Sequence, residues 1–212
     1  AGVSGTGITT DYNYETRSNT APTIGAWEYF VNIDVYSGTT LVASFKTLQL
    51  AFNAINNGTN GGTGALTIKI NTSTIETGTA VLNASGGTAS YTRVHIYPTN
   101  IGISITGSLN SPLINLNGAD NVCFDGLVNG TGSTAGLVIS NSNTGTSATT
   151  IQFLLSAQND TIQYCTIKGA GTGTSLGIVT FSTATTGTGN DNNIISNCNI
   201  TSISASNGQT NA

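Results

Sequence analysis

Charged side chains are scarce in this chain of 212 residues. Lysine and arginine together number 5, aspartate and glutamate together number 9, and the formal net charge is −4. Charged residues make up 7% of the chain, against roughly 25% in an ordinary globular domain. Basic residues are too few to form the clustered positive surface that binds nucleic acid or an anionic membrane. The sequence therefore predicts no nucleic-acid partner and no polybasic membrane attachment.

Long apolar runs and metal-binding motifs are also missing. No run reaches the roughly 18 apolar residues of a transmembrane helix, so we expect no membrane insertion. One histidine and three cysteines form no Cys-x-x-Cys motif, so we expect no metal and no cofactor. Because the chain starts at Ala1 without a signal peptide, we expect that a leader was removed or that the chain is an excerpt.

Threonine, serine, asparagine and glycine supply the polar surface in place of charge. These residues favour turns and strands and are poor in helix interiors. The hydrophobic fraction is 37%, and its members fall in short alternating runs, which disordered chains lack. The composition therefore predicts a folded, strand-rich domain.

A six-residue motif recurs along the second half of the chain. The sequence IQYCTI at 162–167 returns as ISNCNI at 195–200, and a looser copy, VCFDGL, stands at 122–127. An asparagine-rich turn precedes each copy. Repetition at unequal spacing is typical of a solenoid whose turns carry loops of different length.

Short alternating segments from residue 66 onward predict strands, and aligning them predicts two ladders of side chains. We place five residues in a buried ladder: Ile68, Val94, Val122, Ile162 and Ile195. We place their neighbours in an outward ladder: Lys69, His95, Cys123, Gln163 and Ser196. Because the motif copies run in one direction and long loops separate them, the pattern favours a three-sided parallel β-helix over antiparallel hairpins.

One segment, 45–55, has the apolar spacing of an amphipathic helix. Ser44 is the expected N-cap, and Asn56 to Gly58 end the run. We expect this helix to close the open end of the solenoid, where strand edges and apolar side chains would otherwise be exposed.

Three regions make up the predicted organisation. Residues 1–40 form a lead-in with an aromatic cap, 41–58 hold the capping helix, and 59–212 form coils that we expect to continue beyond the last residue. A carbohydrate platform is the alternative role for the aromatic cluster. Its members are Tyr12, Tyr14, Trp27, Tyr29 and Phe30.

Several stretches resemble pectate-lyase-like right-handed β-helix domains, most closely those of large secreted proteins of the Bacteroidota. The stretches are 44–56, LTIKI at 66–70, IET at 75–77, VHIYP at 94–98, LINLNG at 113–118 and DNVCFDG at 120–126. The resemblance implies an all-β, right-handed parallel β-helix, an extracellular or cell-surface location, and export by type IX secretion. That family includes polysaccharide lyases and hydrolases as well as adhesins and stalk-like surface proteins, so its motifs indicate fold more than activity.

The chemistry of a lyase of this family needs several carboxylates that hold Ca²⁺ in one cleft, and an Arg or Lys base. The candidate acids of the repeat region are Glu76, Asp120, Asp125, Asp160 and Asp191. The candidate bases are Lys69, Arg93, His95 and Lys168. We interpret Asp120, Asp160 and Asp125 as turn formers. The alignment places no acid on the face of Lys69 and His95 and no facing pair for a hydrolase, so we predict no catalytic residue.

Two covalent features can also be predicted. Cys165 and Cys198 share one motif position, and Cys123 takes another. Neighbours in a parallel ladder rarely suit disulfide torsion, so we expect three free thiols. The sequence Asp160-Thr161-Ile162 matches the Asp-Ser/Thr-apolar pattern on which Bacteroidota O-glycosylate exported proteins, which makes Thr161 the candidate glycosylation site.

The sequence as a whole predicts a non-enzymatic extracellular or cell-surface β-helix module within a larger secreted protein. Its expected role is that of an adhesin, a structural spacer or a filament component. Its expected partners are glycans or neighbouring copies of itself, with the secretion machinery during export. The alternative is a fragment of a polysaccharide lyase or glycoside hydrolase that acts on an acidic polysaccharide.

Overall fold

The computed structural model describes residues 31–59, 63–182 and 187–203. The aromatic cluster of the lead-in and the tail from residue 204 lie outside the described residues. The chain divides into two units, Ala1–Val31 and Asn32–Ala212, and every element below belongs to the second.

Strands are the main elements, which confirms the all-β class. The first eight are β1 (Ile33–Ser37), β2 (Thr40–Phe45), β3 (Thr63–Ile70), β4 (Thr74–Glu76), β5 (Ala80–Asn83), β6 (Ser90–Pro98), β7 (Ile103–Gly107) and β8 (Pro112–Asn117). The other eight are β9 (Val122–Asp125), β10 (Leu137–Asn141), β11 (Thr149–Leu154), β12 (Thr161–Gln163), β13 (Cys165–Gly169), β14 (Val179–Phe181), β15 (Ile194–Ser196) and β16 (Asn199–Ser202). Within the described ranges, α1 (Leu48–Asn56) is the one α-helix, and a turn of 3-10 helix lies at Val128–Gly130.

The strands form three sheets, and from β3 onward each sheet takes every third strand. The seven-stranded sheet has the order β15-β12-β9-β6-β3-β1-β2, the five-stranded sheet β16-β13-β10-β7-β4, and the four-stranded sheet β14-β11-β8-β5. All pairs are parallel except those of β1 with β2 and β3. Three consecutive strands, such as β3–β5 or β9–β11, therefore send one strand to each sheet, and we call such a set a strand triplet.

The inward side chains of the three sheets meet in one apolar core. Four of the five residues predicted to be buried are at most 1% exposed, and Ile195 is partly exposed. Each fully buried Ile or Val contributes about 1.5–3 kcal/mol of transfer free energy. Alternation along the strands thus assigns the buried face correctly.

The predicted register between β3 and β6 is wrong by two residues. Ile68 pairs with Ile96 and not with Val94, so Lys69 lies beside Tyr97. A register shift early in this pair, between residues 64 and 65, is not visible in the apolar pattern. Because a slip of two keeps every side chain on its face, the inward and outward assignments hold while the cross-strand partners change.

The predicted register between β9 and β12 is also wrong by two. Ile162 pairs with Phe124 and not with Val122, and Gln163 pairs with Asp125. The slip arises because the sequence alignment matches the apolar ends of the looser motif copy, 122–127, to those of the copy at 162–167. Each motif copy follows a turn that holds an asparagine with positive φ, at positions 121, 159 and 192. Aligning the first two of these asparagines gives the shift of 38 (159−121) that relates β9 to β12 in the structure.

The helix begins later than predicted, at Leu48, because the chain is still extended at Phe45, the last residue of β2. Thr47 is the N-cap and accepts a hydrogen bond from the amide of Leu50 at 3.3 Å. Ser44, the expected cap, instead donates its hydroxyl hydrogen bond to Asp34. The end of the helix agrees with the prediction.

The buried face of α1 joins the apolar core through Leu48, Ala51, Phe52 and Ile55. The helix packs mainly against β5 and also contacts β4, the end strands of their two sheets. Among the described helices, none has the length and apolar character needed to cross a membrane.

Candidate functional site

The outward side chains of the seven-stranded sheet form a varied polar surface. Alternation and the strand register place ten of them on one side, which we call the outer face. They are Asp34 and Tyr36 on β1, Thr67 and Lys69 on β3, His95 and Tyr97 on β6, Cys123 and Asp125 on β9, and Thr161 and Gln163 on β12.

A cleft of about 230 Å³ opens at the β1 end of the outer face. It is lined by Tyr36, Gly38, Thr39, Thr67, Lys69 and Tyr97. The Lys69 ammonium lies 4.3 Å from the centroid of the Tyr36 ring, a cation–π contact that contributes about 0.5–1 kcal/mol at an exposed site. The contact holds the one cation of the cleft against the Tyr36 ring.

Asp125 is the centre of a hydrogen-bonded cluster further along the outer face. Its Oδ2 accepts from Gln163 Nε2 at 3.0 Å and lies 3.4 Å from His95 Nε2. Its Oδ1 accepts from the amide of Leu127 at 3.0 Å. The His95 ring meets Tyr97 edge to face, with centroids 5.1 Å apart. Asp125 is 3% exposed, so the cluster joins neighbouring strand triplets more than it faces solvent.

The prediction that no acid shares a face with Lys69 and His95 is wrong. Asp125 is on that face and contacts His95 directly. The register of β6 with β9 is as predicted, with His95 beside Cys123, and alternation from Cys123 places Asp125 on the same face. The error follows from the interpretation of Asp125, which precedes Gly126, as a turn former rather than as a residue of β9. Strand alternation continued from Cys123 to Asp125 is the sequence signal that would have placed the acid on this face.

Four of the five carboxylates of the repeat region accept hydrogen bonds from backbone amides. The acceptor–donor pairs are Glu76 with Leu48 and Gln49, Asp120 with Gln158, Asp125 with Leu127, and Asp160 with Val122, all at 2.8–3.0 Å. Except for Asp125, each links residues 27 to 38 positions apart in sequence. These carboxyl groups therefore hold segments together, which is a structural use of their acceptor oxygens.

The remaining basic candidates are not part of the hydrogen-bonded cluster around Asp125. Lys168 is on β13 of the five-stranded sheet, and Arg93 is an exposed residue of β6. Burial raises the pKa of the Cys123 thiol to about 11, with a further rise from Asp125 and an opposing effect of Arg93. Cys123 is thus a protonated thiol at neutral pH, not a ready nucleophile.

All three cysteines are unbonded, as the sequence predicted. Cys165 is buried, and its Sγ–H donates to the carbonyl of Gln163 at 3.2 Å. Its hydrogen bond with Cys198, together with burial, raises the pKa of Cys165. Thr161, the candidate glycosylation site, lies on the outer face and is partly exposed.

Metal binding has no group of ligands to support it: the described part of the chain holds no set of three histidine, cysteine, aspartate or glutamate residues arranged around an ion. Comparison with known proteins adds no relative, since no protein-family model, no curated protein and no solved structure matches this chain. Function must therefore be inferred from the geometry of the chain itself.

Proposed function

We propose that this chain is a non-catalytic extracellular or cell-surface module, part of a larger secreted protein, with a right-handed, three-sided parallel β-helix fold of the pectate-lyase-like kind. The solenoid is supported by the sheet order, because three consecutive strands from β3 onward belong to three different sheets and pair in parallel with the next triplet. The position of α1 against the end strands β4 and β5 supports its role as the cap.

The observation that carries the non-catalytic assignment is the use of the carboxylates. A calcium-dependent lyase needs several carboxylates free to contribute to six to eight oxygen ligands. Here Glu76, Asp120, Asp125 and Asp160 are all bonded to backbone amides. Releasing a carboxylate from one such bond costs about 1.5–3 kcal/mol, so these groups are poor candidates for metal ligands or bases.

The two described carboxylates of the outer face are also too far apart for glycoside hydrolysis. Asp34 is on β1 and Asp125 is on β9, three strands away in the sheet. Three strand spacings amount to about 14 Å, whereas the paired carboxylates of glycosidases lie about 5–9.5 Å apart. Asp34 is in addition bonded to Ser44 and Asn71.

The proposed role of the outer face is to bind glycans. Tyr36 and Tyr97 supply aromatic rings at the cleft, and tyrosine is among the residues that contribute most to binding surfaces. Lys69 supplies a donor and a positive charge, and the hydroxyl groups of Thr39 and Thr67 supply further hydrogen bonds. Together these groups give a cleft that can contact both the apolar face and the hydroxyl groups of a sugar.

Affinity electrophoresis of the purified chain through gels that contain neutral or acidic polysaccharides tests the binding face. We expect retardation in at least one gel, and we expect it to decrease when Lys69 and Tyr97 are changed to alanine. The matched control is Lys168→Ala, which removes the same charge from the five-stranded sheet and should leave retardation unchanged. Equal retardation of all three proteins, or no retardation of the wild type in any gel, would contradict the proposed site.

The alternative, a polysaccharide lyase or hydrolase fragment, is favoured by one contact, that of His95 with Asp125 on the outer face. A catalytic pair of this kind would make turnover depend on the carboxylate. Loss of a measured turnover in Asp125→Asn would therefore restore the enzyme assignment.

A further inference from the structure

The asparagine corner that precedes β9, β12 and β15 repeats the same backbone geometry three times. Its central residues, at 121, 159 and 192, have φ of 62°, 58° and 59°. The next residue in each copy occupies one equivalent position in the sheet register. The occupants of that position are Val122, Asp160 and Asn193.

At this position, the side chains of Asp160 and Asn193 each bond to the backbone of the preceding copy in the same way. The amide of Val122 donates to Asp160 Oδ1 at 2.8 Å, and the amide of Asp160 donates to Asn193 Oδ1 at 2.9 Å. The second polar atom of Asn193, Nδ2, donates to the carbonyl of Ala157 at 2.9 Å. Asn193 therefore satisfies both ends of its amide within the corner.

Asp160 has the same first bond, but its second oxygen has no partner among the described residues. Its Oδ2 is a buried atom, and the whole residue is 0% exposed. The shift of 38 between β9 and β12 makes Ala119 the equivalent of Ala157 (157−38), so the Ala119 carbonyl is the expected neighbour of Oδ2. Two acceptor oxygens cannot bond to each other unless a proton lies between them.

The ionisable groups around Asp160 do not compensate a buried negative charge. Asp120 lies in the preceding copy, two residues before Val122, the equivalent of Asp160. It is another acid, and its Oδ1 accepts from the amide of Gln158. Tyr91 is buried nearby and donates its hydroxyl to the carbonyl of Asn83 at 2.6 Å. Burial raises the pKa of Asp160 to about 8; the hydrogen bond from Val122 opposes that rise and Asp120 adds to it.

We propose that Asp160 is a buried, protonated carboxylic acid at neutral pH, whose Oδ2–H donates to the carbonyl of Ala119, and that its ionisation under alkaline conditions weakens the joint between successive strand triplets. The protonated side chain then makes the same two bonds as Asn193 does in the next copy. The corner is in this way a pH-sensitive joint.

The sign of the pH dependence follows from linkage. An unfolded aspartate ionises with a pKa of about 3.9, whereas the folded group keeps its proton until the pH reaches about 8. Between these two values only the unfolded chain gives up the proton, so stability falls as the pH rises. Above the folded pKa both states are ionised, and the loss levels off.

The test compares the wild type with Asp160→Asn, which places the side chain of Asn193 in the equivalent corner. Urea unfolding followed by circular dichroism should give a smaller difference between the two midpoints at pH 5 than at pH 8. At pH 8 the variant should have the higher midpoint, and the difference should have grown steadily between these values. A variant that unfolds at lower urea than the wild type throughout this range would overturn the proposal.

A second measurement does not depend on a variant that folds. Carbon-13 NMR of the wild type should show the Asp160 carboxyl still protonated at pH 6, and the matched control Asp120→Asn should titrate this carboxyl at a lower pH because a like charge is gone. An Asp160 carboxyl already ionised at pH 6 would overturn the proposal. So would a rise in the wild-type midpoint with added Ca²⁺ or K⁺ that Asp160→Asn lacks, since a bound cation would then be the partner of Oδ2.

Discussion

The carboxylate of Glu76 connects β4 to the first turn of α1, and its replacement should weaken the end of the core that the helix covers. Oε1 accepts from the amide of Leu48 at 3.0 Å and Oε2 from the amide of Gln49 at 2.9 Å. Glu76 is 2% exposed, so water does not replace these bonds easily. A carboxylate at a helix N-terminus also gains from the helix dipole.

The expected loss can be estimated from these two bonds. Hydrogen bonds to a charged group contribute about 1.5–3 kcal/mol each, so the loss of both in Glu76→Ala should lower the free energy of unfolding by about 3–6 kcal/mol. Glu76→Gln keeps one acceptor and turns an NH₂ group toward the second amide, and we expect a loss of about 2–3 kcal/mol. Thr47→Ala, which removes only the N-cap bond, should cost about 1 kcal/mol.

Urea unfolding monitored by circular dichroism measures these differences. Ile75→Thr is the matched control on the same strand, because Ile75 is 74% exposed and a surface change of this kind should stay within about 0.5 kcal/mol of the wild type. A Glu76→Ala variant within about 1 kcal/mol of the wild type would show that the carboxylate does not hold the helix. The bonds of Asn56 to Val81 and Asn83 of β5 would then be the polar link that matters between α1 and the end of the sheets.

Three further predictions concern the cysteines, Thr161 and Asn141. Thiol titration of denatured, unreduced protein should count all three cysteines as free, and a count of one would show a disulfide. Protein from its native host should be heavier than the bare polypeptide by the mass of a glycan, and Thr161→Ala should remove the excess; an intact mass equal to the polypeptide would exclude the modification. Asn141 is 1% exposed and bonds to four backbone groups of Leu109, Ser111 and Thr149, so Asn141→Ala should cost about 2–4 kcal/mol in the same unfolding assay, and a cost below about 1 kcal/mol would contradict this role.

The faces of the strands were predictable from sequence, because the side-chain period of a strand is two and apolar residues mark the inward side. Ile68, Val94, Val122 and Ile162 are buried as expected. The class of fold and the parallel direction of the repeated strands followed from the same pattern. Both depend on local residues and on the order of the motif copies.

Cross-strand partners were harder to predict, because loops of unequal length separate the strands and apolar alternation fits equally well after a slip of two. The contact of Asp125 with His95 was missed although the register of β6 with β9 was predicted correctly, because Asp125 was interpreted as a turn former and not as part of β9. The start of α1 was misplaced for a related reason: Phe45 is apolar in either state, and only the bond from Leu50 to Thr47 fixes the cap.

The most direct test of the non-catalytic assignment is an assay of the purified chain with Ca²⁺ on pectins and other acidic polysaccharides. Unsaturated products are followed by absorbance and new chain ends by reducing-sugar release. We predict no turnover, because four of the five carboxylates of the repeat region are bonded to backbone amides and the two carboxylates described on the outer face are about 14 Å apart. Turnover that disappears when Asp120, Asp125 or Asp160 is changed to alanine would contradict it and identify the chain as an enzyme.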